Sequence, residues 1–210
     1  MIFKKEKLKK EQLKLAKKIS IKDDFNNIQL IAGIDKSFIK NNKIITSIVI
    51  FDIENKKIIE KKHIIKELDI PYLPNYLAYR EMPGILECYE TLENKPDLLI
   101  IGANGILHPR LIGMASHIGL ILDIPSIGIT NKKLCGEIKE NKVYLNDKVI
   151  GSTIITKEHA NPLFVSPGHK ITLRTSIKFV KELTRLPHKL PEPLHLAHRL
   201  SKKIKKTYNG

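Results

Sequence analysis

IQLIAGIDKSFIKNNKIITSIVIFDIENKKIIEKKHIIK, residues 28–66, holds three Ile- and Val-rich runs: Ile28–Phe38, Ile44–Ile53 and Lys57–Lys66. Short polar segments separate them, Lys40-Asn41-Asn42-Lys43 and then Glu54-Asn55-Lys56. β-Branched residues suit strands and connections this short join antiparallel neighbours, so the stretch predicts a three-stranded meander. Beyond it, Asp97–Ile101 and Pro125–Ile129 read as compact apolar strands with a helix over Arg110–Leu122 between them. Lys142–Thr156 predicts a hairpin turning near Asn146-Asp147. Further helices are expected over residues 1–20, over Tyr79–Leu92, around Ile171, Ile177 and Val180, and from Glu192 onward behind Pro191. The order βββ-α-β-α-β-ββ-α-α predicts the α/β class: one mixed sheet, a meander joined to parallel strands, flanked by helices. No repeat or Gly/Ser-rich linker interrupts it, so a single domain over 1–210 is expected, with a basic helical extension (1–20) and a basic tail (199–210).

The composition narrows the class of partner. With 42% hydrophobic residues, 11 Gly and 11 Pro in 210, the chain is neither disordered nor low in complexity. No apolar run is long enough for a membrane span, and the amino end, MIFKKEKLKKEQLK, lacks the apolar stretch of a secretory signal. Cys88 and Cys135 have no metal-type spacing and read as small hydrophobes; a reducing, cytoplasmic setting and a monomer are expected. A net charge of +15 invites a polyanion such as nucleic acid. Only five of the 37 basic residues are Arg, however, so much of the Lys can equally be solvated surface.

Several residues could carry chemistry. Asp35 ends the first strand in Ala32-Gly33-Ile34-Asp35, a usual place for a hard-metal ligand, with the glycine admitting a substrate. Glu81 stands at a loop-to-helix boundary, where the helix dipole alone can explain it. Residues 102–110, GANGILHPR, lie between a strand and a helix start, where α/β proteins place phosphates; His108 and Arg110 could meet one there. His117 lies on an apolar helix and reads as a core histidine; capping explains His169 about as well as function does, and His198 could be surface or ligand.

Taken together, AGID (32–35), PYLPNYLAYRE (71–81), GILHPR (105–110), GMASHIGL (113–120), PSIGIT with KKLCG (125–136), NPLFVSPGH (161–169) and LPEP (190–193) resemble the endonuclease V family. The resemblance implies a ribonuclease H-like fold and a DNA repair nuclease. Its reaction would be Mg²⁺-dependent (Mn²⁺ possible) cleavage of DNA or RNA at the second phosphodiester bond 3′ to a deaminated adenine. It makes Pro71–Pro74 a wedge with Tyr72 stacking into the opened duplex, while the base enters a pocket near Asn75, Gly105 and Gly113. His108, Arg110 and Lys132 would join that nucleic-acid surface. Asp35 and Glu81 match acidic metal ligands, and His198 falls where the family has a catalytic histidine or acid. Carboxylates suit Mg²⁺, whose ion can activate water and stabilise the leaving oxygen.

Four positions depart from that pattern. The central metal-binding Asp is Gly102, the following pocket glycine is Ala103, the wedge glycine is Asn75, and the lysine after the IGVA-like strand is Asn131, beside Lys132 and Lys133. Losing the Asp removes a charge that water cannot replace; Asn104, Asp123 or His198 would have to substitute. Asn75 and Ala103 add bulk where backbone should approach a base. The expectation is weakened metal binding and slow or absent cleavage. Three functions follow: a nuclease rescued by another ligand, a non-cutting relative that binds inosine-containing, mismatched or branched nucleic acid, or an RNA-binding or ribosome-associated module relying on Lys.

Overall fold

The computed structural model describes residues 5–209; the first four residues of the basic extension and Gly210 of the tail lie outside that range. β1 (Leu30–Ile39), β2 (Lys43–Asp52) and β3 (Lys57–Glu67) form the expected meander, with Asp35 opposite Ser47 and Lys36 opposite Thr46. Asn41 and Asn42 turn the first hairpin at φ 59° and 54°, left-handed values that Asn tolerates better than most residues.

After α2 (Leu77–Glu90) the chain enters β4 (Leu98–Ile101), parallel to β1 with Ile34 beside Ile101. After α3 (Met114–Leu122) it enters β5 (Ser126–Thr130), parallel to β4. Then come β6 (Glu137–Lys139), β7 (Lys142–Leu145), β8 (Lys148–Ile154) and β9 (Leu163–His169), completing one mixed nine-stranded sheet ordered β3-β2-β1-β4-β5-β9-β8-β7-β6. α4 (Leu173–Leu183) and α5 (Glu192–Asn209) follow, and α1 (Lys5–Ala16) precedes the meander.

The α/β mixed sheet expected from the sequence is therefore present, with differences. α1 stops at Ala16, and α3 starts at Met114 rather than Arg110, because 102–113 is an irregular loop. β9 was not expected. It contains Pro167 and Gly168 and is buried throughout. It tolerates the proline because the register with β5 shifts between Ser126 and Ile127, where Pro167 pairs.

Alternation along the strands gives the sheet two apolar faces. On one, Ala32, Ile34, Ile48 and Ile50 meet Ala78, Ile85 and Cys88 of α2 and Ala115 and Ile118 of α3. On the other, Ile31, Ile100, Ile127 and Val165 meet Val180 and Leu183 of α4 and Leu194 of α5. Each fully buried Ile contributes about 1.5–3 kcal/mol relative to exposure. α5 is also tied to the meander by polar contacts: Ser47 Oγ donates to the Ala197 carbonyl (2.7 Å), and Ser37 and Ser201 share a 3.0 Å hydroxyl contact. Among the described residues no helix is long and apolar enough to cross a membrane.

Candidate functional site

Asp35 and Lys36 are consecutive on an extended strand, so they serve opposite faces of the sheet. Asp35 turns to α5, where its Oδ2 lies 2.6 Å from His198 Nδ1. Lys36 turns to α2 and α3. Its Nζ lies 3.2 Å from Glu81 Oε2, donates to the Gly102 carbonyl at 3.3 Å, and sits 4.0 Å from Met114 Sδ. Glu81 is only 2% exposed, and its Oε2 receives no well-directed hydrogen bond, so the neighbouring ammonium is what compensates its charge.

Two cavities meet here, of about 660 and 470 Å³. Glu81 lines the larger and Asp35 the smaller, while Lys36 and Gly102 line both. The two expected metal-binding acids therefore face different spaces, with the Lys36 side chain in the dividing wall. A Cβ on residue 102 would lie 2.5 Å from Asp35 Oδ1, so the Asp35 carboxylate occupies room that only a glycine leaves.

This donor set does not fit Mg²⁺. The ion needs near-octahedral oxygen coordination and usually more than one anionic ligand. Asp35 is already held by His198, Glu81 by Lys36, and residue 102 offers no carboxylate. Among the described residues no three His, Cys, Asp or Glu side chains come together to hold a metal. Of the suggested substitutes, Asn104 accepts from Thr130 Oγ1 (3.3 Å), and Asp123 ends α3 paired with Lys170 (2.8 Å), lining neither cavity.

The wedge segment overhangs the larger cavity, which Tyr72, Pro74 and Asn75 line; Tyr72 is 63% exposed and Pro71 is exposed beside it. Asn75 has φ 67°, so its backbone keeps the left-handed turn a glycine would make there. Its carbonyl is a hub: Gln12 Nε2 (3.1 Å), His108 Nε2 (3.1 Å) and Arg110 Nη2 (2.8 Å) all donate to it. Arg110 Nε also donates to Gln12 Oε1, and its guanidinium lies over the Tyr76 ring at 4.5 Å. His108 and Arg110 were expected to meet phosphate. In this structure they brace the wedge from below, and His108 is buried with its Nδ1 accepting from the Arg110 amide (3.2 Å).

Burial pushes the His108 imidazole down to about 4, only partly offset by its bond to Asn75. In the unfolded chain it titrates near 6.5, so the unfolded state takes up protons first as pH falls. The stability from neutral His108 is complete above pH 6.5 and is lost between there and about 4, roughly 3 kcal/mol in all. Urea unfolding at pH 7 and pH 4 should therefore show a fall about 3 kcal/mol larger in wild type than in His108→Gln. Equal falls would reject the assignment.

Comparison with known proteins gives these features a family. The endonuclease V family model matches residues 13–199. The chain belongs to the endonuclease V family. Endonuclease V of Dictyoglomus thermophilum is 40% identical over 200 residues, covering 91% of this chain and 87% of that protein. That of Thermosipho melanesiensis is 39% identical, covering 93% and 88%. The Bacillus subtilis endonuclease V crystal structure superposes with TM-score 0.90 at 27% identity over 99% of this chain and 94% of that one. Ciona intestinalis endonuclease V, solved with a 24mer DNA containing an inosine followed by a ribo-adenosine, gives TM-score 0.84 at 25% identity over 96% and 98%.

Within an endonuclease V fold, the expected residues divide clearly. Asp35 and His198 meet, as does Glu81 with the larger cavity, to which Gly113 and Ala103 also contribute wall. Ala103 adds a methyl without closing the space. Gly105 is packed against β9, where a Cβ would lie 2.1 Å from the Pro167 carbonyl oxygen, so close packing requires a glycine there. Gly33 likewise admits a helix and not a substrate. His117 is the buried histidine expected, His169 receives the Ser20 amide (3.3 Å) rather than capping a helix, and Cys135 is half-buried where a buried thiol was expected. Lys132 is exposed. Lys189 was missed: it donates to Asn131 (2.8 Å) and lines the smaller cavity, bringing an ammonium to the place where the family pattern has a lysine. Lys36 was missed too. Its signal was a lysine directly after Asp35 on a strand whose alternate residues are core.

Proposed function

We propose that this chain recognises hypoxanthine in DNA or RNA through its wedge and the larger cavity, and that its cleavage of the second phosphodiester 3′ to the base is slow or absent. The observation that carries this is the contrast across one wall: a braced wedge over an open 660 Å³ space, and below it two acids already engaged, Asp35 by a hydrogen bond to His198 and Glu81 by the Lys36 ammonium. That volume lies in the usual range for small-ligand sites. Extruding a nucleotide costs a few kcal/mol, least for a weakly paired one, which favours inosine over adenine. The Ciona protein's inosine-containing DNA supports the ligand class. Exposed lysines on α1 (Lys5, Lys7, Lys9, Lys10 and Lys14), with Lys132, would supply sequence-independent phosphate attraction. The persistence of Asp35, Glu81 and His198 favours a second reading, a working nuclease.

Fluorescence anisotropy with matched inosine and adenine oligonucleotides at fixed salt tests the binding. Inosine should be preferred by at least about tenfold, and Tyr72→Ala should remove most of that preference. Chelator should change the affinity by less than about twofold, because no ion bridges protein and phosphate in this reading. Multiple-turnover nicking in Mg²⁺ that disappears in Asp35→Ala would establish the second reading instead. Equal affinity for plain RNA would return the chain to a lysine-driven RNA binder.

A further inference from the structure

The environment of Lys36 belongs to a bound cation rather than a surface lysine. The Lys36 side chain is only 13% exposed, and the neighbours of its ammonium are a carboxylate oxygen, a backbone carbonyl and a thioether, at 3.2, 3.3 and 4.0 Å. The carboxylate it faces is nine-tenths buried and has no directed hydrogen bond to its Oε2. A buried carboxylate with neither a proton nor a cation beside it is strongly unfavourable, and the Lys36 ammonium stands where such a cation would be needed. Lys36 supplies it covalently, from the wall between the two cavities.

We propose that the Lys36 ammonium is the resident cation of this site, a tethered monovalent charge that holds Glu81 and the Gly102 carbonyl in place of a divalent ion. The geometry explains why the missing Asp at 102 does not leave the acids unbalanced. One carboxylate has gone from the expected set, and the remaining two are each matched by one cationic or proton-donating partner, Glu81 by Lys36 and Asp35 by His198. A divalent ion entering beside Glu81 would have to expel a charge that cannot diffuse away. The ammonium has a definite direction as well, because its three protons can address the Glu81 and Gly102 oxygens together but cannot polarise a water as a metal does. The inference concerns the chain's own charge balance and does not depend on which nucleic acid is bound.

The test uses full-length protein stripped with chelator and then titrated with Mn²⁺ alone, read by thermal unfolding and by the EPR signal of free Mn²⁺. Wild type is expected to bind no stoichiometric Mn²⁺ at millimolar concentration and to keep its Tm. Lys36→Met leaves Glu81 unpaired and should lower Tm by about 6 °C or more, with Mn²⁺ restoring much of the loss. Lys36→Met/Glu81→Gln should regain Tm without Mn²⁺ and lose the Mn²⁺ response. If Lys36→Met does not fold, a double variant that folds like wild type supports the proposal and one that also fails overturns it. Stoichiometric Mn²⁺ binding by wild type, or a Lys36→Met variant with unchanged Tm, likewise overturns it. No nucleic acid enters these measurements, so they can fail while inosine binding stands, and the reverse.

Discussion

Gly102→Asp alone is expected to leave Mn²⁺ affinity within about threefold of wild type, whereas Gly102→Asp/Lys36→Val should bind Mn²⁺ at least about 30-fold more tightly than either single variant. Restoring the lost carboxylate is the obvious repair, and two features of the site oppose it. The first is steric. A Cβ at 102 would lie 2.5 Å from Asp35 Oδ1, so Asp35 must turn, and it is held through its other oxygen by the 2.6 Å contact to His198. Turning it gives up a short hydrogen bond of the stronger, charge-assisted kind. The second is electrostatic. An ammonium about 4 Å from a divalent ion repels it by roughly 2 kcal/mol in water-like surroundings and roughly 8 kcal/mol at an effective dielectric of 20. The smaller figure already corresponds to about 30-fold in affinity, which sets the lower bound. In the single variant the new carboxylate also has Lys36 available as a ready partner, so adding it strengthens the ion pair instead of freeing a ligand. EPR titration of the four proteins decides the matter: a single Gly102→Asp variant that binds as tightly as the double removes Lys36 from the argument.

The difference between what was readable and what was not follows the distance over which each residue acts. The meander was legible because its information is local: Ile- and Val-rich runs that become β1 and β2, and asparagines at 41 and 42 that accept positive φ. The hairpin of β7 and β8 was legible for the same reason, since Asn146 and Asp147 both turn at positive φ. β9 was hidden because Pro167 argues locally against an interior strand, and the register shift that accommodates it is a property of the pair with β5. At the site, Asp35, Glu81 and His198 were found from the resemblance, and His108 and Arg110 were placed in the right loop. Their targets were not readable. The Asn75 carbonyl lies 33 and 35 residues away in sequence, and Gln12 lies 98 residues from Arg110. Lys36 is the sharpest case: adjacent to Asp35, it is separated from it by the plane of the sheet, and its partner Glu81 comes from another element. Sequence shows which charges are present; packing decides which of them neutralise one another.

The glycine of Ala32-Gly33-Ile34-Asp35 gives the largest expected effect on the fold itself. Gly33→Ala should cost at least about 3 kcal/mol and lower Tm by roughly 6–12 °C, or prevent folding outright. A Cβ there would lie 1.9 Å from the Pro193 carbonyl oxygen and 2.6 Å from the Leu194 amide nitrogen. Both are backbone atoms at the start of α5, so no side-chain rotation can relieve the contact and the helix must move. That movement propagates to chemistry, because α5 carries His198 and is pinned to the meander through Ser47 and Ala197. Gly84→Ala is the matched comparison. There the added Cβ meets Thr46 Oγ1 at 3.2 Å, a hydroxyl that can yield slightly, and Lys66 side-chain carbons at an ordinary 3.9 Å, and the helix gains about 1 kcal/mol of intrinsic propensity. Its stability should stay within about 1 kcal/mol of wild type. Urea unfolding of the two variants separates glycine chosen for close backbone approach from glycine merely tolerated, and equal losses at both positions would refute the account of how α5 is seated on β1.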